Sequence, residues 1–153
     1  MSTAWPTRVQ FAFEPQQKGK QMTTTQAQSN AEPASLVWFE IPADNIERAK
    51  AFYSALFGWK IEKFPGSMEY WHIDTRGGND TPDGGLIERQ HSQQGITSYI
   101  SVPSVDQFTA KVQKLGGKVF LAKTAVHQMG YFAICQDTEN NTFGLWEKNP
   151  EAR

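Results

Sequence analysis

Hydrophobic and polar residues alternate along this chain with two different periods, which separate strands from helices. In the stretch LVWFEIP the period is two, as in a half-buried β-strand. Val37, Phe39 and Ile41 share one face, which we expect to pack against helices. Trp38 and Glu40 then point to the opposite face of the sheet.

The segment after this strand has the period of an amphipathic helix. Its apolar stripe consists of Ile46, Ala49, Tyr53, Leu56 and Phe57. Asp44 and Glu47 form a pair like a capping box at its start. Gly58 suits a left-handed helix end. WKIEKF, EYWHID and GGLIERQ then read as three strands separated by turn residues.

The second half of the chain repeats this order. ITSYISV is a strand, and Ser104 with Gln107 caps the helix that follows it. Val105, Phe108, Val112 and Leu115 form the stripe of that helix. KVFLAKT, GYFAICQD and TFGLWEK are the remaining strands.

The two halves also match residue by residue at an offset of 59. Ile41, Ile46, Glu47, Ala51, Leu56 and Gly58 recur as Ile100, Val105, Asp106, Ala110, Leu115 and Gly117. Gly85, Leu86 and Glu88 recur as Gly144, Leu145 and Glu147. A repeat that holds over helical and strand-like segments alike indicates two copies of one structural unit.

We therefore predict an α+β fold built from two tandem βαβββ modules, residues 35–90 and 95–148, in one domain over 35–148. Side by side, the modules form a curved mixed sheet with helices on its convex face and a cup on the other. Residues 1–34, rich in Gln, Thr and Ser, are predicted to be a flexible extension. Residues 149–153 are predicted to be a C-terminal tail.

Charge and composition exclude several classes of function. The formal net charge of −1 over 153 residues argues against a nucleic-acid or anionic-membrane binder. No apolar run approaches the roughly 18 residues that a membrane span needs. With no secretory signal pattern, a cytoplasmic protein is expected. The single cysteine, Cys135, excludes an internal disulfide.

The run IPADNIERAKAFYSALFGWKI resembles the opening of the glyoxalase / bleomycin-resistance / extradiol-dioxygenase family, the vicinal oxygen chelate superfamily. VPSVDQFTAKVQKLGGKV is similar to the opening of that family's second module, and DTENNTFGLWEK to its closing strand. The resemblance covers roughly residues 35–148. It implies paired βαβββ modules and a metal in the cup, held by histidine and glutamate.

Carried over residue by residue, the four metal positions of the family are Trp38, Gly85, Thr97 and Gly144 here. None of these is a good ligand, because glycine has no side chain, indole only donates and a hydroxyl is weak. We therefore predict no cofactor, while a divalent metal held by other residues stays open. In the family, glyoxalase I activity and extradiol cleavage depend on the metal at the usual positions.

Strand alternation places aromatic and polar side chains on the cup face, with Trp38, Thr97, Tyr99 and Trp146 as candidate ligand-binding residues. These side chains either line a pocket or fill the cup. The glycines Gly85 and Gly144 favour a pocket, because they leave room where side chains would otherwise stand.

Glu40 and His72 are the candidate catalytic residues. A carboxylate in an aromatic cup has a raised pKa and acts as a base or holds a cation; otherwise it pairs with a nearby Arg or Lys. His72 points the same way as Tyr70 and is an acid, a base or a ligand, or simply polar surface. His127 lies in a hairpin over the cup mouth, as a lid contact or an exposed loop residue. A nonstandard metal site built from Glu40, His72 and His127 stays open, although these residues have no spacing signature.

The predicted function is the binding of a small organic molecule in the cup. One alternative is a glyoxalase-like lyase or isomerase that uses a metal or Glu40 as base. The other is a resistance protein that sequesters a drug without catalysis. A homodimer is the expected assembly, since members of this family close the cup within one chain or across a dimer.

Overall fold

The computed structural model describes residues 33–66 and 69–153. The predicted flexible extension lies outside the described residues, apart from Pro33 and Ala34. The described chain forms ten elements: β1 (Ser35–Ala43), α1 (Ile46–Phe57), β2 (Lys60–Lys63), β3 (Tyr70–Asp74), β4 (Asp83–Glu88), β5 (Thr97–Ser101), α2 (Val105–Lys114), β6 (Lys118–Val126), β7 (Gly130–Gln136) and β8 (Thr142–Lys148).

All eight strands belong to one curved sheet with the order β2-β3-β4-β1-β5-β8-β7-β6. Within each half, the first strand pairs in parallel with the last: β1 with β4, and β5 with β8. The halves join where β1 and β5 pair antiparallel. This topology confirms the predicted α+β fold of two tandem βαβββ modules.

Each helix covers the same face of its own half of the sheet. Ile46, Ala49 and Tyr53 of α1 pack on a buried cluster that includes Ile73 and Leu86. The second helix packs on a corresponding cluster through Phe108 and Val112 of its stripe, with Val105 fully buried. The opposite face of the sheet, on which neither of the two described helices packs, is the cup face.

The ends of the helices differ from the prediction at one point. Asn45, rather than Asp44, caps α1: its side chain accepts a hydrogen bond from the Arg48 amide at 2.8 Å. Asp44 instead accepts a hydrogen bond from Arg89 at 2.9 Å. The predicted cap of α2 is confirmed, because Ser104 Oγ accepts from the Gln107 amide at 3.3 Å. Gly58 ends α1 with a φ of 71°, as predicted.

Two predicted burial assignments are also corrected. Val37 packs against the cup-face cluster instead of the helices, because a β-bulge between Leu36 and Trp38 interrupts the alternation. The ends of both stripes lie in solvent: Leu56, Phe57 and Leu115 are all more than half exposed.

The C-terminal residues fold back on the β6–β7 hairpin. The Asn149 amide donates to the Met129 carbonyl at 3.0 Å, and the Gln128 amide donates to the Ala152 carbonyl at 2.9 Å. Ala152 is completely buried. The residues predicted to be a tail thus hold the β6–β7 hairpin in place.

Among the described residues, no helix has the length and apolar character that crossing a membrane requires.

Substitution of Asn45 and Ser104 tests whether these equivalent residues of the two modules cap their helices. Asn45→Ala and Ser104→Ala should each lower the free energy of unfolding by about 1 kcal/mol, because each leaves a helix amide without its acceptor. The double variant should lose about the sum, since the two caps are on separate helices. Urea denaturation measures this. Ser54→Ala, in the exposed middle of α1, is the control and should cost nothing. A cap variant as stable as this control would contradict the assignment.

Candidate functional site

The cup face carries a buried and largely aromatic cluster. Its members are Trp38, Tyr70, Tyr99, Val126, Phe132, Ile134 and Trp146. We call this set the cup cluster. Three of the four predicted ligand-binding residues belong to it, and none of these three is more than 3% exposed. The structure therefore brings Trp38, Tyr99 and Trp146 together, but as the packed floor of the cup.

Glu40 is the polar centre of the cup cluster. It is 3% exposed, and each of its carboxyl oxygens accepts a hydrogen bond from a tyrosine. Tyr99 Oη donates to Glu40 Oε2 at 2.7 Å, and Tyr70 Oη donates to Glu40 Oε1 at 3.1 Å. The Trp38 indole in turn donates to Tyr70 Oη at 2.9 Å. The partners of Glu40 are thus phenols, in place of the Arg or Lys that the sequence left open.

Burial raises the pKa of Glu40 from its usual 4.5 to about 7, against the opposing effect of the hydrogen bonds from Tyr99 and Tyr70. Burial, and then the charge of Glu40, raises the pKa of both tyrosines well above the usual value. The phenols therefore stay protonated and keep donating, whereas the carboxyl group changes charge near neutral pH. This confirms the direction of the pKa shift expected for Glu40.

Sequence reasoning did not include Tyr70 among the candidate site residues. The available signal was its place on β3, where alternation puts it on the same side as His72. The missing information was the contact: a Cβ atom at Gly85 would overlap the Tyr70 hydroxyl. Gly85 and Tyr70 are on neighbouring strands, so only the folded sheet shows that one side chain occupies the space over the other residue.

The same relation holds in the second half of the sheet. A Cβ atom at Gly144 would overlap the ring of Tyr99, its partner on the adjacent strand. The expectation that the two glycines leave open room is therefore wrong. They are small because tyrosine side chains already fill the space above them.

His72 lies at the edge of the cup cluster. Its ring stacks on Trp38, with centroids 5.7 Å apart and planes 6° from parallel. Its Nε2 atom is 3.2 Å from Asp83 Oδ2, and both side chains are 37% exposed. Asp83 also accepts hydrogen bonds from the backbone and hydroxyl of Thr75. His72 is thus held by an aromatic face and a carboxylate in contact with solvent, and it has no contact with Glu40 among its described interactions.

The residues at the family's metal positions do not fit a metal. Two of them, Gly85 and Gly144, have no side chain, and tyrosines occupy the space above both. The indole nitrogen of Trp38 is used to donate to Tyr70. Within residues 33–66 and 69–153, no three His, Cys, Asp or Glu side chains are grouped so as to hold a metal ion. His127, the third residue of the alternative metal site with Glu40 and His72, is exposed on its hairpin.

Thr97, the fourth predicted ligand-binding residue, lies apart from the cup cluster, in a groove of about 970 Å³. The floor of this groove is one row of the cup face: Thr97 on β5, Thr142 on β8 and Gln136, which pairs with Thr142, on β7. Val119 and Phe120 of β6 form one wall. We call this depression the end groove, because it lies one row beyond Tyr99 and Gly144.

The other wall of the end groove is the linker between the modules, residues 90–96. The linker is folded onto the domain: Arg89 donates to the carbonyl of Pro42 at 3.0 Å and also to the carbonyl of Gln94. The Gln90 amide donates to Gln94 Oε1 at 2.7 Å. Sequence reasoning gave this segment, including His91, no role, since a short polar linker has no periodic signal.

Comparisons with known proteins agree with this architecture. Residues 35–75 match the family described as "Bleomycin resistance protein-like N-terminal". The chain is 32% identical over 114 residues to a glyoxylase-like domain-containing protein of Didymella fabae, an alignment that covers 69% of this chain and 88% of that protein. It is 26% identical over 124 residues to the Mycobacterium bovis protein "Putative glyoxylase CFP32", covering 73% of this chain but only 45% of that longer relative.

Among solved structures, the fold is similar to a glyoxalase/bleomycin resistance protein/dioxygenase superfamily member from Vibrio splendidus 12B01. The TM-score is 0.58 at 14% sequence identity, over 76% of this chain and 100% of that one. The likeness at this identity concerns the fold alone. The sequence similarity to the relative from Didymella fabae and the shared fold lead to the same conclusion. This chain belongs to the glyoxalase/bleomycin resistance protein/dioxygenase superfamily, as a glyoxalase-like member.

Proposed function

We propose that this chain binds a small organic molecule in the end groove without using a metal, and that the cup cluster is the rigid floor beside that site. The observation that carries the proposal is the position of Tyr70 and Tyr99 over Gly85 and Gly144. Side chains fill the place where the family usually holds its metal. The cup face is open at the row of Thr97.

The end groove has the properties of a binding site. It combines apolar surface from Ile96 and Phe120, which are 59% and 40% exposed, with polar groups from the floor. Its linker wall is fixed by hydrogen bonds from Arg89, so that a ligand does not have to order it. Sequestration of a drug, as in bleomycin-resistance members, is one form of this binding.

One observation favours a second candidate, a metal-free lyase with Glu40 as base. The pKa of Glu40, raised to about 7, is suited to proton transfer near neutral pH. Against this, Glu40 is 3% exposed and both of its oxygens already accept hydrogen bonds. A substrate would first have to displace a tyrosine. Binding in the end groove needs no such rearrangement.

The expected homodimer stays a prediction, and light scattering of the purified chain tests it. The binding proposal is argued from the described residues of one chain.

Metal analysis and ligand screening test the proposed function. The full-length protein should carry no stoichiometric divalent ion by plasma mass spectrometry. A compound found by thermal-shift screening should bind equally well with and without EDTA. Thr97→Arg should weaken its binding at least tenfold, because the new side chain projects into the end groove. Ala51→Arg, on the exposed surface of α1, adds the same charge elsewhere and should leave affinity unchanged. A bound metal whose removal abolishes binding would contradict the proposal.

Gly144→Ala tests whether Tyr99 fills the cup. The added methyl group must push the Tyr99 ring from its place, so the free energy of unfolding should fall by about 1–3 kcal/mol. Gly95→Ala is the matched control, because nothing lies within 4 Å of a Cβ atom there. It should change stability by less than about 1 kcal/mol. Chemical denaturation followed by tryptophan fluorescence measures both. Equal stability of the two variants would mean that the space over Gly144 is open.

Glu40→Gln tests the role of the buried carboxyl group. Because the pKa of Glu40 is raised from 4.5 to about 7 on folding, the folded state holds its proton more tightly than the unfolded state. The resulting contribution to stability is complete below pH 4.5. It is lost as the pH rises towards and through 7, by about 3 kcal/mol in total. The stability of the wild type relative to Glu40→Gln should fall by this amount between pH 4 and pH 8.

The same variant separates binding from base catalysis. Glutamine keeps an acceptor for one tyrosine and removes the titration, so ligand affinity in the end groove should stay within about twofold of the wild type. Loss of a measurable lyase turnover in Glu40→Gln, with binding intact, would instead support the second candidate. A pH-independent stability difference would show that the carboxyl group is not buried as described.

A further inference from the structure

The described lining of the end groove holds no carboxylate, ammonium or guanidinium group. None of its residues is Asp, Glu, Lys or Arg, and it includes one imidazole, that of His91. Six are carboxamides, from Gln and Asn, and two are threonines. A charged ligand placed there would lose hydration without gaining an opposite charge, which is costly. The lining therefore favours a neutral ligand that makes several hydrogen bonds.

Four charged residues are next to lining residues in the sequence: Arg89, Lys118, Asp137 and Glu139. Of these, Arg89 and Asp137 are engaged elsewhere. Arg89 donates to Asp44 at 2.9 Å and to the carbonyls of Pro42 and Gln94. Asp137 accepts from the amides of Glu139 and Asn141, each at 2.8 Å. The charge of Arg89 is thus directed into the linker wall, and the charge of Asp137 into the loop between β7 and β8.

The carboxamides have two separate roles. Gln90 and Gln94 build the linker wall: Gln90 Nε2 donates to the Glu88 carbonyl at 2.9 Å, and Gln94 Oε1 accepts from the Gln90 amide. Gln136 on the floor donates through Nε2 to the Asn140 carbonyl at 3.3 Å. Its Oε1 atom, the side on which it can accept, is left for a ligand.

The floor adds two hydroxyl groups beside this acceptor. Thr97 and Thr142 are neighbours on β5 and β8, since the residues that follow them, Ser98 and Phe143, are paired. In the described part of the chain neither hydroxyl has a hydrogen-bond partner. Each hydroxyl can both donate and accept. Phe120 and Ile96 supply apolar surface at the rim.

We infer that the end groove binds uncharged compounds that carry carboxamide groups next to an aromatic or aliphatic group, in preference to anions or cations. A ligand amide is both donor and acceptor, and so it matches the Gln136 acceptor and the threonine hydroxyls together. Its apolar group then lies on Phe120. This inference rests on the proposed function and names the class of ligand.

A matched pair of probes tests the ligand class. N-acetylphenylalaninamide and N-acetylphenylalanine share the ring and one amide, and they differ in a terminal carboxamide against a carboxylate. Each is titrated at neutral pH into the isotope-labelled full-length protein and followed by amide NMR shifts. The neutral amide should move the signals of Thr97, Phe120, Gln136 and Thr142 saturably. Its dissociation constant should be at least tenfold below that of the acid.

Two substitutions test whether the neutral amide binds at Gln136. Gln136→Leu removes the acceptor and keeps most of the volume, so it should weaken the neutral amide at least fivefold. Gln113→Leu, on the exposed side of α2, is the control and should leave affinity unchanged. Equal or tighter binding of the acid would overturn the ligand class, as would shifts confined to other surfaces. If another compound class binds at Thr97, the proposed function stands and this inference fails. If no compound of any class binds, both fail.

Discussion

A carboxyl group buried between two tyrosine hydroxyls joins the halves of this molecule. Glu40 is on β1 of the first module, and Tyr99, which donates to it at 2.7 Å, is on β5 of the second. The sheet connects the modules through this same pair of strands. Because Tyr70 and Trp38 extend the hydrogen bonds, the cup floor is one continuous network that leaves none of its described buried polar atoms unpaired.

This contact explains why the two modules have different residues at one equivalent position. Glu40 and Tyr99 are separated by 59 residues, which is the repeat offset, so they occupy the same position in the two modules. Two glutamates at this position would repel each other, and two tyrosines would lack the carboxylate acceptor. A contact between equivalent positions therefore needs complementary residues. The glycines beneath the rings, Gly85 and Gly144, are identical in the two modules.

The sequence predicted the fold because a repeat of apolar periods and turn residues is local information. It also placed Trp38, Glu40 and Tyr99 on one face, since alternation needs only the strand. What it could not supply was the contact between strands: whether a ring covers a glycine depends on register and rotamer. The bulge at Val37 and the choice of Asn45 as cap are similar, because both depend on backbone geometry that composition does not determine.

The end groove lies on the second module, and the repeat shows what differs at the matching row of the first module. Thr97 and Thr142 correspond to Trp38 and Asp83 in the first module. There the indole is buried under the stacked ring of His72, and Asp83 contacts that same histidine. Replacing an indole and a carboxylate with two threonines removes both bulk and charge from the row. The second module therefore has a depression at this row, whereas the matching row of the first module is filled by an indole and carries a carboxylate. The ligand class proposed for the end groove follows from the small side chains of this row.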